Sequence, residues 1–150
     1  MNTRQAQSFR RPESVLVLVF TRTGQVLLIQ RSDLPDFWQS VTGTLEPGET
    51  PAAAAARELY EETGLSGVDL TDRKIANRYR IKAHWSKRYA PGTTHNTEHV
   101  FTVEMVEQVS VHLNPEEHLS FEWLDAEAAL DRCSSPTNQA AIQRFVLKLV

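Results

Sequence analysis

The chain has 150 residues, of which 41% are hydrophobic and 23% charged, which is ordinary globular usage and excludes a disordered or collagen-like protein. Sixteen Lys and Arg residues against nineteen Asp and Glu residues give a net charge of −3, so no overall basic field attracts nucleic acid. A single cysteine, Cys133, excludes an intramolecular disulfide and a CxxC zinc site. The length predicts one domain over residues 1–150.

Hydropathy gives no sign of a membrane segment. The longest apolar stretch covers residues 15–20, whereas a transmembrane helix needs about 20 residues. Residues 1–10 are polar and lack the apolar core of a signal peptide. We therefore expect a cytoplasmic protein with no membrane partner.

The N-terminal third predicts strands. Two apolar runs rich in β-branched residues, 15–20 and 26–29, flank the polar segment 22–25, which predicts a hairpin. Residues 36–42 predict a further short strand. The Pro-Gly pair within residues 46–49 predicts a turn.

Residues 51–63 form the strongest helix prediction. Thr50 can cap the helix, Pro51 suits its first position, and Gly64 suits its C-terminal stop. A narrow apolar stripe is expected to pack this helix closely on a sheet. The stripe consists of Ala52, Ala55, Ala56 and Leu59.

The remainder of the chain predicts further strands and two more helices. Residues 70–113 show no long helical period, and a loop at 90–96 is expected to separate two strands. A strand at 121–124 leads into a short helix at 125–132. Ser135-Pro136 opens a last helix, whose apolar face is formed by Ile142, Phe145, Val146 and Leu149. Together these elements predict an α/β or α+β fold in which helices flank a mixed sheet.

Three carboxylates within the first helix indicate a possible metal site. Glu58, Glu61 and Glu62 have i, i+3 and i, i+4 spacing, so they can share a helix face apart from the apolar stripe. Two unit charges ~4 Å apart repel by ~4 kcal/mol at an effective dielectric of 20. A hard divalent cation relieves this repulsion, and Mg²⁺ prefers one or two carboxylates together with phosphates. The alternative is a solvated acidic helix face.

The wider pattern resembles a known signature. Gly43 is followed after five residues by Glu49, and after seven more by the segment 57–65, Arg-Glu-Leu-Tyr-Glu-Glu-Thr-Gly-Leu. This pattern resembles the Nudix box of the Nudix hydrolase family. The resemblance implies an α/β/α sandwich with a loop-helix-loop catalytic motif. It also implies Mg²⁺- or Mn²⁺-dependent hydrolysis of a nucleoside diphosphate linked to another group.

The resemblance also implies roles for individual residues. Glu58 and Glu62 correspond to metal ligands, and Glu61 to a third ligand or to the base that orients water. Glu49 is expected to pair with Arg57 and brace the helix, while the carbonyl of Gly43 is a further candidate ligand. An alternative from another class is a non-catalytic binding module of the same fold, for which three intact carboxylates would have no use.

Segments outside the box resemble one branch of the family. They are residues 35–43, 88–92, 96–98, 117–119 and 123–125, and they are similar to bacterial members that act on a pterin triphosphate in folate biosynthesis. This likeness implies hydrolysis of 7,8-dihydroneopterin triphosphate to the monophosphate and pyrophosphate. The alternative is a house-cleaning hydrolase of (d)NTPs or dinucleoside polyphosphates. In both cases the partner is a small pterin or nucleoside triphosphate, and the protein is a monomer or homodimer.

The same likeness extends to substrate and metal positions. Glu117 corresponds to a metal-binding carboxylate beyond the box, although a solvated loop acid is the alternative. Residues expected near substrate are Arg10, Arg31, Thr42, Tyr79, Arg80, Ile81, Lys82 and Ser135. A surface salt bridge is the alternative for Arg31, and a helix cap is the alternative for Ser135. Aromatic candidates for stacking on a ring are Phe37, Trp38, Trp85 and Tyr89, among which the sequence does not decide; for Phe37 and Trp38, as strand residues, core packing is the favoured alternative.

Overall fold

The computed structural model describes residues 9–148, and these form a mixed sheet with helices on both faces. The expectations for residues 1–8 and for Leu149 lie outside this range. The strands are β1 (Glu13–Thr21), β2 (Gln25–Arg31), β3 (Trp38–Gln39), β4 (Val41–Thr44), β5 (Leu70–Arg80), β6 (His95–Met105) and β7 (His118–Asp125). The α-helices are α1 (Pro51–Thr63), α2 (Ala126–Arg132) and α3 (Pro136–Ala141), and α3 is followed directly by a π-helix at Ile142–Val146. The predicted α/β/α sandwich is confirmed.

Strand β1 is the central strand of the sheet. It pairs in parallel with β6 along its full length and antiparallel with β4, while β2 pairs antiparallel with β7 and β3. The predicted hairpin forms, but β1 and β2 pair only near its tip, at Phe20 and Val26. The single strand predicted at residues 36–42 is wrong, because Ser40 divides it into β3 on β2 and β4 on β1. This division places Thr42 and Gly43 beside the N-terminal part of β1, where they pair with Leu16 and Val15.

The alternating side chains of β1 divide the interior into two cores. Val15, Val17 and Val19 point to the face covered by α1, where they pack with Leu59 and Phe101. The side chains on the other face pack beneath α2 and α3, and they are Leu16, Leu18 and Phe20. Because helices cover both faces of the sheet, β1 is buried along nearly its whole length.

Helix α1 has the predicted ends but a different buried face. Thr50 accepts a hydrogen bond from the backbone N–H of Ala53, and Gly64 adopts a left-handed φ of 80° at the C-terminal end. The predicted apolar stripe is partly wrong, because Ala52 and Ala56 are exposed. The buried residues are instead Ala54, Ala55, Leu59, Glu62 and Thr63. The face that packs on the sheet therefore includes one of the box carboxylates.

Two further segments differ from the prediction or refine it. A 3₁₀ helix at Ala83–Arg88 interrupts the segment that was expected to contain only strands and loops. The expected loop at 90–96 is shorter, because β6 begins at His95. Ser135 forms the helix cap that was the alternative to its predicted substrate role, because its hydroxyl accepts a hydrogen bond from the N–H of Asn138 at the start of α3. Each helix among residues 9–148 is too short or too polar to span a bilayer.

Candidate functional site

Two adjoining cavities lie at the edge of the sheet near β4. The first has a volume of about 350 Å³ and is called here the acidic cavity. It is bordered by α1, by β4 and by the start of β7. All of the predicted box and metal residues except Glu49 line it, namely Gly43, Arg57, Glu58, Glu61, Glu62 and Glu117. The fold thus brings together residues that are up to 74 positions apart in sequence (43 to 117).

Glu58 lies against the backbone of Gly43. A Cβ atom at position 43 would overlap the Glu58 carboxylate, so any other residue there would force the Glu58 side chain out of its place beside β4. Burial raises the pKa of Glu58 to about 8, with Arg57 opposing the shift and the charges of Glu61 and Glu117 adding to it. The protein therefore holds a carboxyl group where its negative charge is poorly solvated.

Glu62 is the most enclosed carboxyl of the site, at 2% exposure. The expectation that Glu62 lies on a helix face apart from the apolar stripe is wrong, because α1 turns this side chain inward with Leu59. Its Oε1 atom has no hydrogen-bond partner among residues 9–148. Burial raises the pKa of Glu62 well above its ordinary range, and the nearby charges of Glu58 and Glu117 act in the same direction.

His118 faces Glu62 from the start of β7. Its Nε2 atom lies 3.5 Å from Glu62 Oε1, and the ring is 5% exposed. Burial, together with the positive charge of Arg31, lowers the pKa of His118 to about 4. The ring is thus held neutral near pH 7, and it does not supply a charge that neutralises Glu62.

Arg57 ties the helix to the preceding loop. Its Nε and Nη2 donate to the two oxygens of Glu49 at 2.8 Å each, and Nη2 also donates to the carbonyl of Thr44 at 3.0 Å. A further bond of 3.1 Å reaches Glu61. The Arg57 guanidinium lowers the pKa of Glu49 to about 2. The structure therefore contains the Glu49–Arg57 brace that the resemblance implied.

The donor set fits a divalent cation held jointly with phosphate. Glu58 and Glu62 are two hard oxygen donors. Arg57 Nη1 lies 3.6 Å from Glu58, but among residues 9–148 Oε1 of Glu62 has no hydrogen-bond partner. Glu117 and Glu61 lie at the more exposed border of the cavity. Within the described part of the chain no three His, Cys, Asp or Glu side chains are already arranged to hold a metal ion. Two carboxylates completed by water and phosphate oxygens are, however, the usual Mg²⁺ arrangement.

The second cavity, of about 300 Å³, is called here the aromatic cavity. Phe37, Tyr79, Trp85 and Tyr89 line it, and Phe37 meets Trp85 edge to face at 5.4 Å. All eight predicted substrate positions border it: Arg10, Arg31, Thr42, Tyr79, Arg80, Ile81, Lys82 and Ser135. Trp38 packs elsewhere, in the core under α2 and α3, with Arg132 over its ring. Of the four aromatic candidates, three therefore remain in place for stacking.

Three arginines lie between the two cavities. Arg10, Arg31 and Arg88 border both, as do Gln39, Thr42 and Gly43. Asp33 organises two of these arginines, because it accepts from Arg31 at 2.7 and 3.0 Å and from Arg88 at 3.0 Å. Trp85 Nε1 donates to the same carboxylate at 3.1 Å. The salt bridge that was the alternative for Arg31 thus exists, with Asp33 as its partner. It holds the Arg31 guanidinium at the border of both cavities.

Several of these residues were not assigned a role from the sequence. Asp33, Arg88 and His118 carry no motif spacing, and Glu98 reaches the aromatic cavity from the middle of β6. The sequence carries a partial signal for three of them, because Arg88, Glu98 and His118 lie in the segments 88–92, 96–98 and 117–119 that resemble one branch of the family. Their approach depends on long-range pairing of β5 with β6 and of β2 with β7.

Replacing Gly43 with alanine is expected to lower kcat/KM about 10²-fold with little loss of fold. The new methyl group would occupy the position of the Glu58 carboxylate, and a displacement of about 1 Å at a reacting centre can cost 10²-fold in rate. Steady-state kinetics and thermal denaturation test this. Ser66→Ala, at an exposed loop position, is the control. Wild-type kinetics in Gly43→Ala would contradict the account.

Without metal, Glu58 is expected to make stability depend on pH. Its pKa in the folded state, about 8, exceeds the ordinary value of 4.5, so the folded protein binds more protons between these values. Stability from this group is full below pH ~4.5 and is lost as pH rises through 8. Urea denaturation in EDTA should show wild type losing stability relative to Glu58→Gln across this window. Equal pH dependence of unfolding free energy in wild type and Glu58→Gln would contradict this prediction. Glu127→Gln, on the surface of α2, is the control.

Comparison with known proteins gives consistent matches. The model of the NUDIX domain matches residues 10–146. Dihydroneopterin triphosphate diphosphatase of Escherichia coli is 42% identical over 144 residues, covering 93% of this chain and 95% of that protein. The enzyme of that name from Haemophilus influenzae is 40% identical over 146 residues, covering 94% and 91%. The solved structure of the E. coli dihydroneopterin triphosphate pyrophosphohydrolase superposes with a TM-score of 0.89 at 40% identity, covering 94% and 99%.

Proposed function

Since the chain belongs to the Nudix family of hydrolases, we propose that it hydrolyses 7,8-dihydroneopterin triphosphate to dihydroneopterin monophosphate and pyrophosphate in folate biosynthesis, using Mg²⁺. Relatives of that name match nearly the full length of the chain. The observation that carries the proposal is the pair of adjoining cavities, one aromatic and one acidic, joined by arginines. A flat ring and a triphosphate tail require such a division.

Members of the family generally use divalent metal ions, and the acidic cavity suits one. Glu58 and Glu62 would hold the ion, with Glu117, Glu61 and the carbonyl of Gly43 as further candidate ligands. When bound, Mg²⁺ neutralises charge on phosphate oxygens and lowers the pKa of bound water; Mn²⁺ is the expected substitute. The unpartnered Oε1 of Glu62 supports this assignment.

The chain's own residues provide binding and orientation. Arg10, Arg31 and Arg88 offer guanidinium donors that suit phosphate oxygens. Asp33 fixes the direction of two of them, so less side-chain entropy is lost when phosphate binds. Arg57 holds α1 against β4 and keeps Glu58 at Gly43. Glu61, at the open border of the cavity, is the candidate base for the attacking water, with ligation as its alternative role.

The ring would occupy the aromatic cavity. Phe37, Trp85 and Tyr89 provide the flat surfaces, and the predicted segment 79–82 forms another wall. Thr42 and Ser135 border the same space, although both also have structural bonds, to the carbonyl of Val15 and to the N–H of Asn138. These residues position the substrate in the proposal and do not take part in bond cleavage.

A substrate comparison tests the proposed function. Purified protein with Mg²⁺ should release pyrophosphate from dihydroneopterin triphosphate with a kcat/KM well above that for dATP, dGTP or diadenosine tetraphosphate. EDTA should abolish the activity, and excess Mg²⁺ should restore it. A higher kcat/KM for the nucleotides would favour the house-cleaning alternative. Absence of turnover with every substrate would favour a non-catalytic module.

Some expectations from the sequence stay predictions. They are the single-domain organisation of residues 1–150, the cytoplasmic location, the absence of nucleic acid as a partner, and the monomeric or homodimeric state. The size of the aromatic cavity, about 300 Å³, suits one small ring system and supports a small-molecule partner.

A further inference from the structure

Glu98 is a buried carboxylate for which the proposed reaction has no use. It lies in β6, is 4% exposed and borders the aromatic cavity but not the acidic one. Its Oε1 atom has no hydrogen-bond partner among residues 9–148. A buried polar group without a partner costs free energy. A ligand bound in the aromatic cavity could supply the missing hydrogen-bond donor.

The surroundings of Glu98 do not neutralise it. Burial raises the pKa of its carboxyl, which the polar side chains of Thr137 and Asn77 only partly oppose. Of the cationic groups that line the aromatic cavity, Arg10, Arg31 and Arg88 lie at the passage to the acidic cavity, where phosphate is expected, and Arg80 and Lys82 belong to the segment 79–82. Among residues 9–148, Glu98 is the one carboxylate that lines the aromatic cavity, and it is thus a charged acceptor for the ring end of a ligand.

The backbone holds Glu98 firmly in this position. It pairs with Ser14 of β1 on one side and with Asn77 of β5 on the other. Asn96, two residues earlier on the same face, donates to the Ser14 hydroxyl at 2.7 Å and to the Tyr79 hydroxyl at 3.1 Å. The carboxylate and the Tyr79 ring are therefore fixed on adjacent strands, as a preorganised ring-binding wall requires.

We infer that Glu98 is a specificity-determining residue that binds the N–H and NH₂ donor pair of a 2-amino-4-oxopyrimidine ring, the edge that pterins and guanine share. This inference rests on the proposed function and deepens it. A carboxylate has two oxygens that can accept from two parallel donors, and charge-assisted bonds of this kind are among the strongest in proteins. The phosphate tail would then leave the cavity past the arginines.

The same contact discriminates against adenine. The corresponding edge of adenine presents one NH₂ donor beside a ring nitrogen that is an acceptor. An acceptor facing Glu98 would be repelled and would leave a carboxylate oxygen buried without a partner. Sites that hydrogen-bond a substrate group reject analogues that lack it more strongly than apolar pockets reject size differences.

Binding measurements without turnover test the inference. Isothermal calorimetry in EDTA compares dihydroneopterin monophosphate, GMP and AMP, which have no phosphoanhydride bond to cleave. Wild type is expected to prefer the first two over AMP by roughly 10- to 100-fold. Glu98→Gln is expected to lose this preference, because its affinity for the two donor-edge ligands falls and its affinity for AMP stays the same or rises, since the amide N–H₂ can donate to the ring nitrogen of adenine. Glu104→Gln is the control, because Glu104 is on the same strand with its side chain 54% exposed.

The outcomes separate the inference from the proposed function. If wild type binds dihydroneopterin monophosphate and GMP alike, and Glu98→Gln weakens both, the inference holds even where dihydroneopterin triphosphate proves a poor substrate. Equal affinity of wild type for all three ligands would overturn it, as would an unchanged preference in Glu98→Gln. Undetectable binding of both donor-edge ligands by wild type would also overturn it. Retained AMP binding and unchanged thermal denaturation show that the isosteric variant is folded.

Discussion

Replacing Glu62 with glutamine is expected to lower kcat by at least about 10³-fold, which corresponds to ~4 kcal/mol of lost transition-state stabilisation. The amide has nearly the shape of the carboxyl, so packing against Leu59 and His118 is preserved. What is lost is a negative charge that lies at 2% exposure and that we propose a divalent cation needs. Initial rates under saturating Mg²⁺ measure the effect.

Stability should respond to the same change in the opposite direction. Without metal, Glu62→Gln should unfold at the same temperature as wild type or higher, because a buried, poorly compensated carboxyl is removed. Added Mg²⁺ should raise the melting temperature of wild type, through binding to the folded state, much more than that of the variant. Glu127→Gln is the control for loss of a surface carboxyl. Turnover within tenfold of wild type would remove Glu62 from the proposed site.

Replacing Arg57 with alanine is expected to destabilise the fold by about 2–3 kcal/mol. Glu49 accepts two bonds of 2.8 Å from this guanidinium, and its side chain is 12% exposed. Removing one partner of a fully buried pair costs about 3–5 kcal/mol, and the partial exposure of Arg57, at 23%, reduces this figure. Lys at position 57 should recover only part of the loss, because an ammonium cannot form the paired bonds.

The pH dependence of this effect has a definite sign. The pKa of Glu49 is about 2 in the folded protein, below its ordinary 4.5, so its contribution is present above pH ~4.5 and disappears as pH falls towards 2. Urea denaturation of wild type and Arg57→Ala should therefore differ most at pH 7, and the difference should shrink steadily below pH ~4.5 as pH falls towards 2. A constant difference across this range would show that the brace does not account for the stability loss.

The parts of the fold that were predictable depend on local chemistry. Thr50, Pro51 and Gly64 define the ends of α1 through capping and left-handed geometry, which act within one turn of helix. The turn at residues 46–49 forms because Glu49 N–H reaches the carbonyl of Glu46 at 2.9 Å. Spacing alone also placed Glu58, Glu61 and Glu62 around one cavity, because α-helical geometry fixes neighbours three and four residues apart.

The parts that escaped prediction depend on distant strands. Five alanines in a row leave the orientation of α1 undetermined, and the sheet selected a face that buries Glu62 in place of Ala52 and Ala56. The break at Ser40 follows from Asn138 of α3, whose side chain bonds both the N–H and the hydroxyl of Ser40, at 2.7 and 2.9 Å. A single sequence does not show that residue 138 lies beside residue 40, nor that Glu98 faces Tyr79.

The location of a bound divalent cation tests the central claim most directly. Crystals grown with Mn²⁺ and dihydroneopterin monophosphate should show an anomalous scattering peak in the acidic cavity, about 2.1 Å from oxygens of Glu58 and Glu62. The peak should vanish in Glu62→Gln crystals grown under the same conditions. Strong Mn²⁺ peaks at other positions, with Glu58 and Glu62 touching no ion, would contradict the account.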